Sequence, residues 1–326
     1  MNERAVRAPT RQELARAWDV VTARLEPTPL VRLPMPAGSG EVFAKLETLQ
    51  PTGSFKVRGA FAAVAAYGNA ARIVTASAGN HGLGVAFAAA AMGVPATVVV
   101  PTTASAAKVE ALRTLGADLV EHGDDYDAAE AHALAFAEED GSVFLSAYDD
   151  AHVIAGQATC MAEVAAQLPG AATVVVPVGG GGLLAGTAIQ AAVEGRFTVV
   201  GVEAAASRGL STAAAAGTVT TVEVRPTLAD GLAGNLEPGS VTPAIATANG
   251  VSTFVAVDEP AIEAAMHYLL RRCGLLVEGA GAVGVAAALT GALPPADRTV
   301  VLLTGRNVAG PVLARLFAEP AVTMGR

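Results

Sequence analysis

Cysteine is nearly missing from this chain: Cys160 and Cys273 are its only two, in 326 residues. They build no disulfide framework and sit in no metal-like spacing, so a reduced, cytoplasmic protein is expected. Aromatic residues make up only 4% and charged residues 16%. The 21 Lys and Arg are scattered among 30 Asp and Glu, and only Arg271 and Arg272 adjoin. A chain with a net charge of −9 and no basic stripe cannot neutralise a phosphate backbone, so nucleic acid is not an expected partner. Long apolar runs are also missing, despite 52% hydrophobic residues and a mean hydropathy of +0.46. The stretch 82–100 is broken by Gly93 and Pro95, and reads as a helix followed by a strand. It is not the run of about 20 lipid-facing residues that a membrane span needs. No charged segment followed by an apolar one opens the chain, so no export signal is expected. Low-complexity tracts are absent, which excludes disorder.

What the chain does contain is small and apolar. With 35 glycines and few rings, it is expected to bury Ala, Val and Leu against closely approaching backbone, as helices packed on a sheet do. Thr10 and Glu13 form a capping-box pattern ahead of an amphipathic stretch that Pro27 and Pro29 bring to an end. Strand-like runs come next, at 42–46, 73–76, 96–100, 118–121, 143–145, 174–178, 198–202, 253–257 and 299–303. Helical stretches alternate with them at 82–92, 105–115, 127–138, 156–167, 183–194, 259–273 and 281–290. Continuous apolar strands between helices mean a parallel α/β sheet covered on both faces. No linker divides the chain, so a second lobe must be an insertion.

The chemistry is expected where glycine runs follow strands, at the carboxyl ends where open α/β sheets bind ligands. Gly179, Gly180, Gly181 and Gly182 follow a strongly apolar strand and open a helix at Leu183. Bare amides at a helix N-terminus cradle a phosphate or a carboxylate. No Gly-Lys-Ser/Thr follows, so this is not a P-loop. Lys56 lies in a small, stiff, loop-like setting between Gly53 and Gly59. A lysine held away from water becomes a nucleophile or a base.

Five motifs occur in order: Ser54-Phe55-Lys56-Val57-Arg58-Gly59, Ser77-Ala78-Gly79-Asn80-His81, Gly179 to Gly182, Leu228-Ala229-Asp230-Gly231, and Val277-Glu278-Gly279-Ala280-Gly281. Together with Tyr148-Asp149-Asp150 and Ile154-Ala155-Gly156-Gln157, they make the chain resemble the fold type II pyridoxal-phosphate enzymes. The likeness is to the serine/threonine dehydratases and their serine racemase cousins. It implies a tryptophan synthase β-like fold of two three-layer α/β lobes with the cofactor in the cleft. The large domain would comprise residues 1–71 and 151–326, and the small inserted one residues 72–150.

The resemblance also implies roles. Lys56 would hold pyridoxal 5′-phosphate as a Schiff base and then take the Cα proton. Phe55 would pack beside the ring, and Asn80 would hydrogen-bond its phenolic oxygen. Gly179, Gly180, Gly181, Gly182 and Leu183 would hold the phosphate, with Glu278 and Thr304 completing the cofactor site. A neutral hydroxyl at Thr304, facing the ring nitrogen, makes a weaker electron sink than a carboxylate would and favours prompt loss of a β-substituent. Ser77, Ala78, Asn80, His81 and Arg306 would meet the substrate. Tyr148 is a candidate helper for the leaving hydroxyl. No metal is expected, because Glu203 and Ser207 lack the further acid that relatives use, and a hard cation wants six or more oxygens.

The implied reaction is dehydration of a small 3-hydroxy-L-amino acid to a 2-oxo acid and ammonia by a cytoplasmic homodimer. A racemase is the alternative, disfavoured because Ala78 stands where racemases carry a serine base. Arg306 replaces a small residue of relatives and points to a non-standard substrate such as 3-hydroxyaspartate or 3-phenylserine. β-Replacement and a non-catalytic phosphate sensor are the remaining rivals.

Overall fold

The capping box at Thr10 forms as its spacing requires. The Thr10 hydroxyl accepts the Glu13 N–H, and the Glu13 carboxylate takes the Thr10 N–H at 2.7 Å, starting helix α1 (Arg11–Thr22). The structure, a computed structural model, describes residues 6–36, 40–139 and 142–318.

Two sheets organise the chain. The larger runs β1 (Leu30–Arg32), β2 (Glu41–Lys45), β10 (Arg298–Leu302), β7 (Ala172–Pro177), β8 (Phe197–Ala204) and β9 (Thr253–Val257). Every pair in it is parallel except β1 with β2. The smaller is wholly parallel, in the order β5 (Asp118–Glu121), β4 (Ala96–Val100), β3 (Ile73–Ala76) and β6 (Val143–Phe144). Its strands all come from between residues 73 and 144.

Alternation along the strands sends side chains to two cores. Val301 and Val175 face α10 (Glu259–Cys273) and α11 (Gly279–Leu289). Val300, Leu302, Val174 and Val176 face α6 (Ala151–Gln167) and α7 (Gly182–Glu194) on the other side. The smaller sheet is sandwiched in the same way. Val74, Ala76 and Val99 pack on α5 (Tyr126–Glu139), while Val98 and Val100 pack on α3 (Asn80–Met92) and α4 (Ala106–Thr114). Strands buried on both faces are why these runs read as continuously apolar. Helices α8 (Gly209–Ala216), α9 (Thr242–Ala248) and α12 (Gly310–Ala318) complete the described chain. No helix among the described residues is long and apolar enough to cross a membrane.

All nine expected strands form, with ends displaced by up to two residues, and the short edge strand β1 adds to them. The loop-like setting expected for Lys56 is corrected: Lys56 is the first residue of helix α2 (Lys56–Ala66). Gly53, Gly59 and Pro51 masked that helix in the sequence. Gly59 is in fact a contact point, since a Cβ there would lie 2.4 Å from the Gln157 amide. Helix α6 likewise begins at Ala151 rather than at 156, capped by the Asp150 carboxylate on the N–H groups of His152 and Val153.

Close helix approach is the packing rule here. A Cβ on Gly156 would lie 2.6 Å from the Arg58 carbonyl oxygen and 2.6 Å from Gly59 Cα. Gly156→Ala is therefore expected to destabilise the protein by about 1–3 kcal/mol, as overpacking of a core does. Gly209→Ala, whose nearest neighbour would be 3.6 Å away, should stay within about 0.5 kcal/mol. Urea midpoints of the two variants check the difference.

Candidate active site

A backbone pairing brings two segments distant in sequence together beside Lys56. The Phe55 N–H donates to the Thr304 carbonyl at 3.0 Å, and the Arg306 N–H to that of Gly53 at 2.9 Å. Ser54 and Gly305 form an antiparallel bridge between them. Lys56 thus starts α2 beside the carboxyl end of β10, where Thr304 is buried. The Lys56 Nζ donates to the Ala147 carbonyl at 2.9 Å and lies 5.4 Å from the centre of the Phe55 ring. Burial lowers this amine to about 8, against the opposing pull of the Glu278 charge.

Two helix N-termini converge nearby. The N–H groups of residues 179–183, at the start of α7, donate to no other described residue, and residues 181–183 are buried. Gly181 holds φ at +88°, a left-handed conformation that suits glycine. A Cβ on Gly180 would lie 2.3 Å from the Tyr148 ring, and one on Gly182 would lie 2.9 Å from Tyr148 backbone. Only side-chain-free residues leave this cradle open, and it is fitted to a phosphate or carboxylate. At α3, the N–H groups of Asn80, His81 and Gly82 are free in the same sense. A Cβ on Gly84 would lie 3.2 Å from the Lys56 carbonyl carbon, which sets α3 directly against Lys56.

A polar chain runs from the start of α3 to the start of α11. The Asn80 Nδ2 donates to Glu278 Oε1 at 2.8 Å, and its Oδ1 accepts from Asn307 Nδ2 at 2.6 Å. The Asn307 N–H donates to Glu278 Oε2 at 3.1 Å. With its oxygen taken and one amide hydrogen engaged, Asn80 has one N–H left to offer a ligand. Burial, then the Asp230 charge, raise Glu278 to about 7, while the bonds from Asn80 and Asn307 pull it down.

His81 is buried, with its Nε2 3.2 Å from the Leu145 carbonyl; it does not cap α3, whose N-cap is Gly79. Burial first, and then Lys56, lower it to about 3, so it is a neutral imidazole with Nε2–H donating. The Ser77 hydroxyl accepts the Gly79 N–H at 3.2 Å, and the Ala78 methyl packs against the cluster holding Ala86 and Val98. Tyr148 accepts the Glu237 N–H at 2.7 Å and is pushed well above the usual phenol range, chiefly by burial.

Most of the sequence-derived residues therefore meet around Lys56. Arg306 is set slightly apart: its Nη1 lies 3.4 Å from the Gln50 carbonyl. Glu203 receives the N–H groups of Leu210 and Ser211, at 3.1 Å each, at the start of α8. Sequence reasoning missed Asn307 as a bridging residue, although it stands three places after Thr304 in the same strand-end motif. Glu237 and its bond from the Ser146 hydroxyl at 2.8 Å carried no signal at all.

A family model described as "Pyridoxal-phosphate dependent enzyme" matches residues 21–305. An L-threonine ammonia-lyase of Thermotoga maritima is 39% identical over 291 residues, 88% of this chain and 72% of that protein. Among solved structures, maize serine racemase is similar at a TM-score of 0.86 and 28% identity, covering 95% of this chain and 97% of its own. A processed threonine deaminase, isoform 2 of Solanum lycopersicum, is similar at 0.79 and 29%, covering 96% of each chain.

The lowered Lys56 amine has a direct readout. In cofactor-free protein, the rate of Lys56 modification by trinitrobenzenesulfonate should rise with a midpoint near pH 8, because only the neutral amine reacts. An ordinary lysine titrates about two units higher. Peptide mass spectrometry across a pH series measures it.

Proposed function

Because the chain belongs to the family of pyridoxal-phosphate dependent enzymes, we propose that it is a lyase that dehydrates a small 3-hydroxy-L-amino acid, of the threonine or serine type, to a 2-oxo acid and ammonia. The observation that carries this is the Lys56 amine, lowered to about 8 and bonded to the Ala147 carbonyl, next to the Tyr148 against which the cradle of free amides packs, in a chain 39% identical to an L-threonine ammonia-lyase.

The residues fit the cofactor. The amides of Gly179, Gly180, Gly181, Gly182 and Leu183 suit its phosphate, and the remaining N–H of Asn80 suits its phenolic oxygen. Phe55 would lie beside the ring, the Thr304 hydroxyl would face the ring nitrogen, and Glu278 would hold Asn80 in place. When bound, pyridoxal phosphate supplies the electron sink that makes the substrate Cα proton removable. Lys56, in the role of base, works near neutral pH because its amine is already partly deprotonated there. The free N–H groups at the start of α3, that of His81 among them, with the Ser77 hydroxyl, suit the substrate carboxylate, while the His81 ring spends its one N–H on the Leu145 carbonyl. Neutral His81 adds no second charge beside Lys56. Arg306 would set a positive group at the edge of the site and favour an acidic or bulky β-substituent.

Serine racemase is the second reading, favoured by the similarity to the maize enzyme. Two-face proton exchange needs a second base, and the Ala78 methyl cannot hold a proton. The same proposal makes the protein a cytoplasmic homodimer, with residues 72–150 inserted as a small domain between 1–71 and 151–326.

Wild type supplied with pyridoxal phosphate should release ammonia and 2-oxobutanoate or pyruvate from L-threonine or L-serine, and Lys56→Ala should lose at least about 10³-fold of that rate. Interconversion of L- and D-serine without ammonia would sink the lyase reading in favour of the racemase. Across serine, threonine, 3-hydroxyaspartate and 3-phenylserine, Arg306→Gly should shift the ranking of kcat/KM away from acidic and bulky substrates. An unchanged ranking would remove Arg306 from the site.

A further inference from the structure

Two residues after Lys56, the chain buries a full set of charges that the reaction does not use. Arg58 is wholly buried, and its guanidinium spans two carboxylates. Its Nε and Nη2 donate to Glu47 at 2.7 and 2.8 Å, and its Nη1 and Nη2 to Glu163 at 2.7 and 2.8 Å. Lys45, equally buried, donates to Glu163 at 2.6 Å and to the Thr28 carbonyl at 2.6 Å. Two cations thus meet two anions out of reach of water. The neutral hydroxyls of Thr28 and Thr159 satisfy further sites, at 2.6 Å on Glu47 and 3.2 Å from Arg58. Burial alone would push Glu47 up, yet the Arg58 charge holds it down at about 2.

Apolar side chains of similar volume often serve stability as well as or better than a buried ion cluster, so this one is weak evidence for stability and better evidence for geometry. We propose that the Lys45, Glu163, Arg58 and Glu47 cluster is a positioning device that aims the Lys56 amine. On a helix, side chains two residues apart leave roughly 200° apart, so the fork that draws Arg58 into the interior points Lys56 the opposite way. There it meets the Ala147 carbonyl. Glu47 and Arg58 also close the loop that carries Gly53, Ser54 and Phe55, so the bidentate pair fixes both the roll of α2 and the path leading into it. A displacement of about 1 Å at a reacting group can cost on the order of a hundredfold in rate, which gives such a clamp its use. The charged and titratable groups facing Lys56 itself are Glu278 at the start of α11 and His81 in α3. Arg58 acts through the helix and not by contact, so it is a positioning residue. The inference rests on Lys56 being the reactive amine of the proposed lyase.

Arg58→Lys keeps the charge but cannot span both carboxylates. In the full-length cofactor-free variant, the pH midpoint for trinitrobenzenesulfonate modification of Lys56 should rise by about one unit towards an ordinary lysine, as the loosened amine gains water. The dissociation constant for pyridoxal phosphate should weaken at least tenfold. The kcat for L-threonine should fall at least tenfold while KM stays within threefold. A folded Arg58→Lys with wild-type midpoint and cofactor affinity overturns the proposal, whatever its melting temperature. Should that variant not fold, Thr159→Val, which removes one bond to the fork, decides in its place. Shifts in the same directions, with cofactor affinity and kcat changed two- to threefold, support the clamp; none overturns it. If wild type itself turns over no hydroxy amino acid, the lyase reading fails, while the modification midpoints still decide the positioning role.

Discussion

Residues 53–55 lie against residues 304–306 as a short antiparallel pair, and the site depends on this contact. Its two N–H bonds, at 3.0 and 2.9 Å, join segments about 250 residues apart and set the start of α2 against the carboxyl end of β10. Gly53 can make the turn because its φ is +78° and because it has no side chain. A Cβ would lie 2.5 Å from the Asn307 Oδ1. Closing so long a loop costs little more entropy than closing a moderate one, since the cost grows only with the logarithm of length. The pairing is thus sustained by ordinary sheet cohesion on either side of it.

Exclusion of water does the electrostatic work. Burial lowers the Lys56 amine to about 8 and raises the Glu278 carboxyl to about 7, so the two approach each other near neutrality. They act on each other at a distance, since the Lys56 Nζ is bonded to the Ala147 carbonyl and the two Glu278 oxygens accept from Asn80 and Asn307. His81 is lowered too, but to about 3, away from neutrality, so its ring gives an N–H to the Leu145 carbonyl and adds no second positive charge. Backbone amides at the starts of α3 and α7 supply positive potential without any titratable group.

The composition explains why these ends can come so close. Helices α2, α6 and α7 touch through Gly59, Gly156 and Gly186, where any Cβ would fall within 2.4 to 2.6 Å of a neighbour. Large rings could not pack at that spacing, in keeping with the scarcity of aromatics. Close backbone contact makes a stiff frame, and a stiff frame holds a cradle of bare amides open.

The order of strands and helices was legible from the sequence because burial on both faces leaves a continuous apolar run, a signal local to each strand. The glycine cradle and the family motifs were legible for a similar reason: each is a short contiguous pattern whose chemistry is carried by its own residues. Helix α2 was not, since Gly53 and Gly59 argue for a loop until Asn307 is known to lie against the first, and Gln157 and Gly156 against the second. Nor was the link from Asn80 to Glu278 and Asn307, or the grip of Glu47 and Glu163 on Arg58. Those pairs are separated by up to 227 residues, and only Glu47 with Arg58 lies within a short loop. A side chain declares its type in the sequence, but its partner is chosen by the packing of strands and helices that brings distant segments within 3 Å. Tertiary structure alone made that choice.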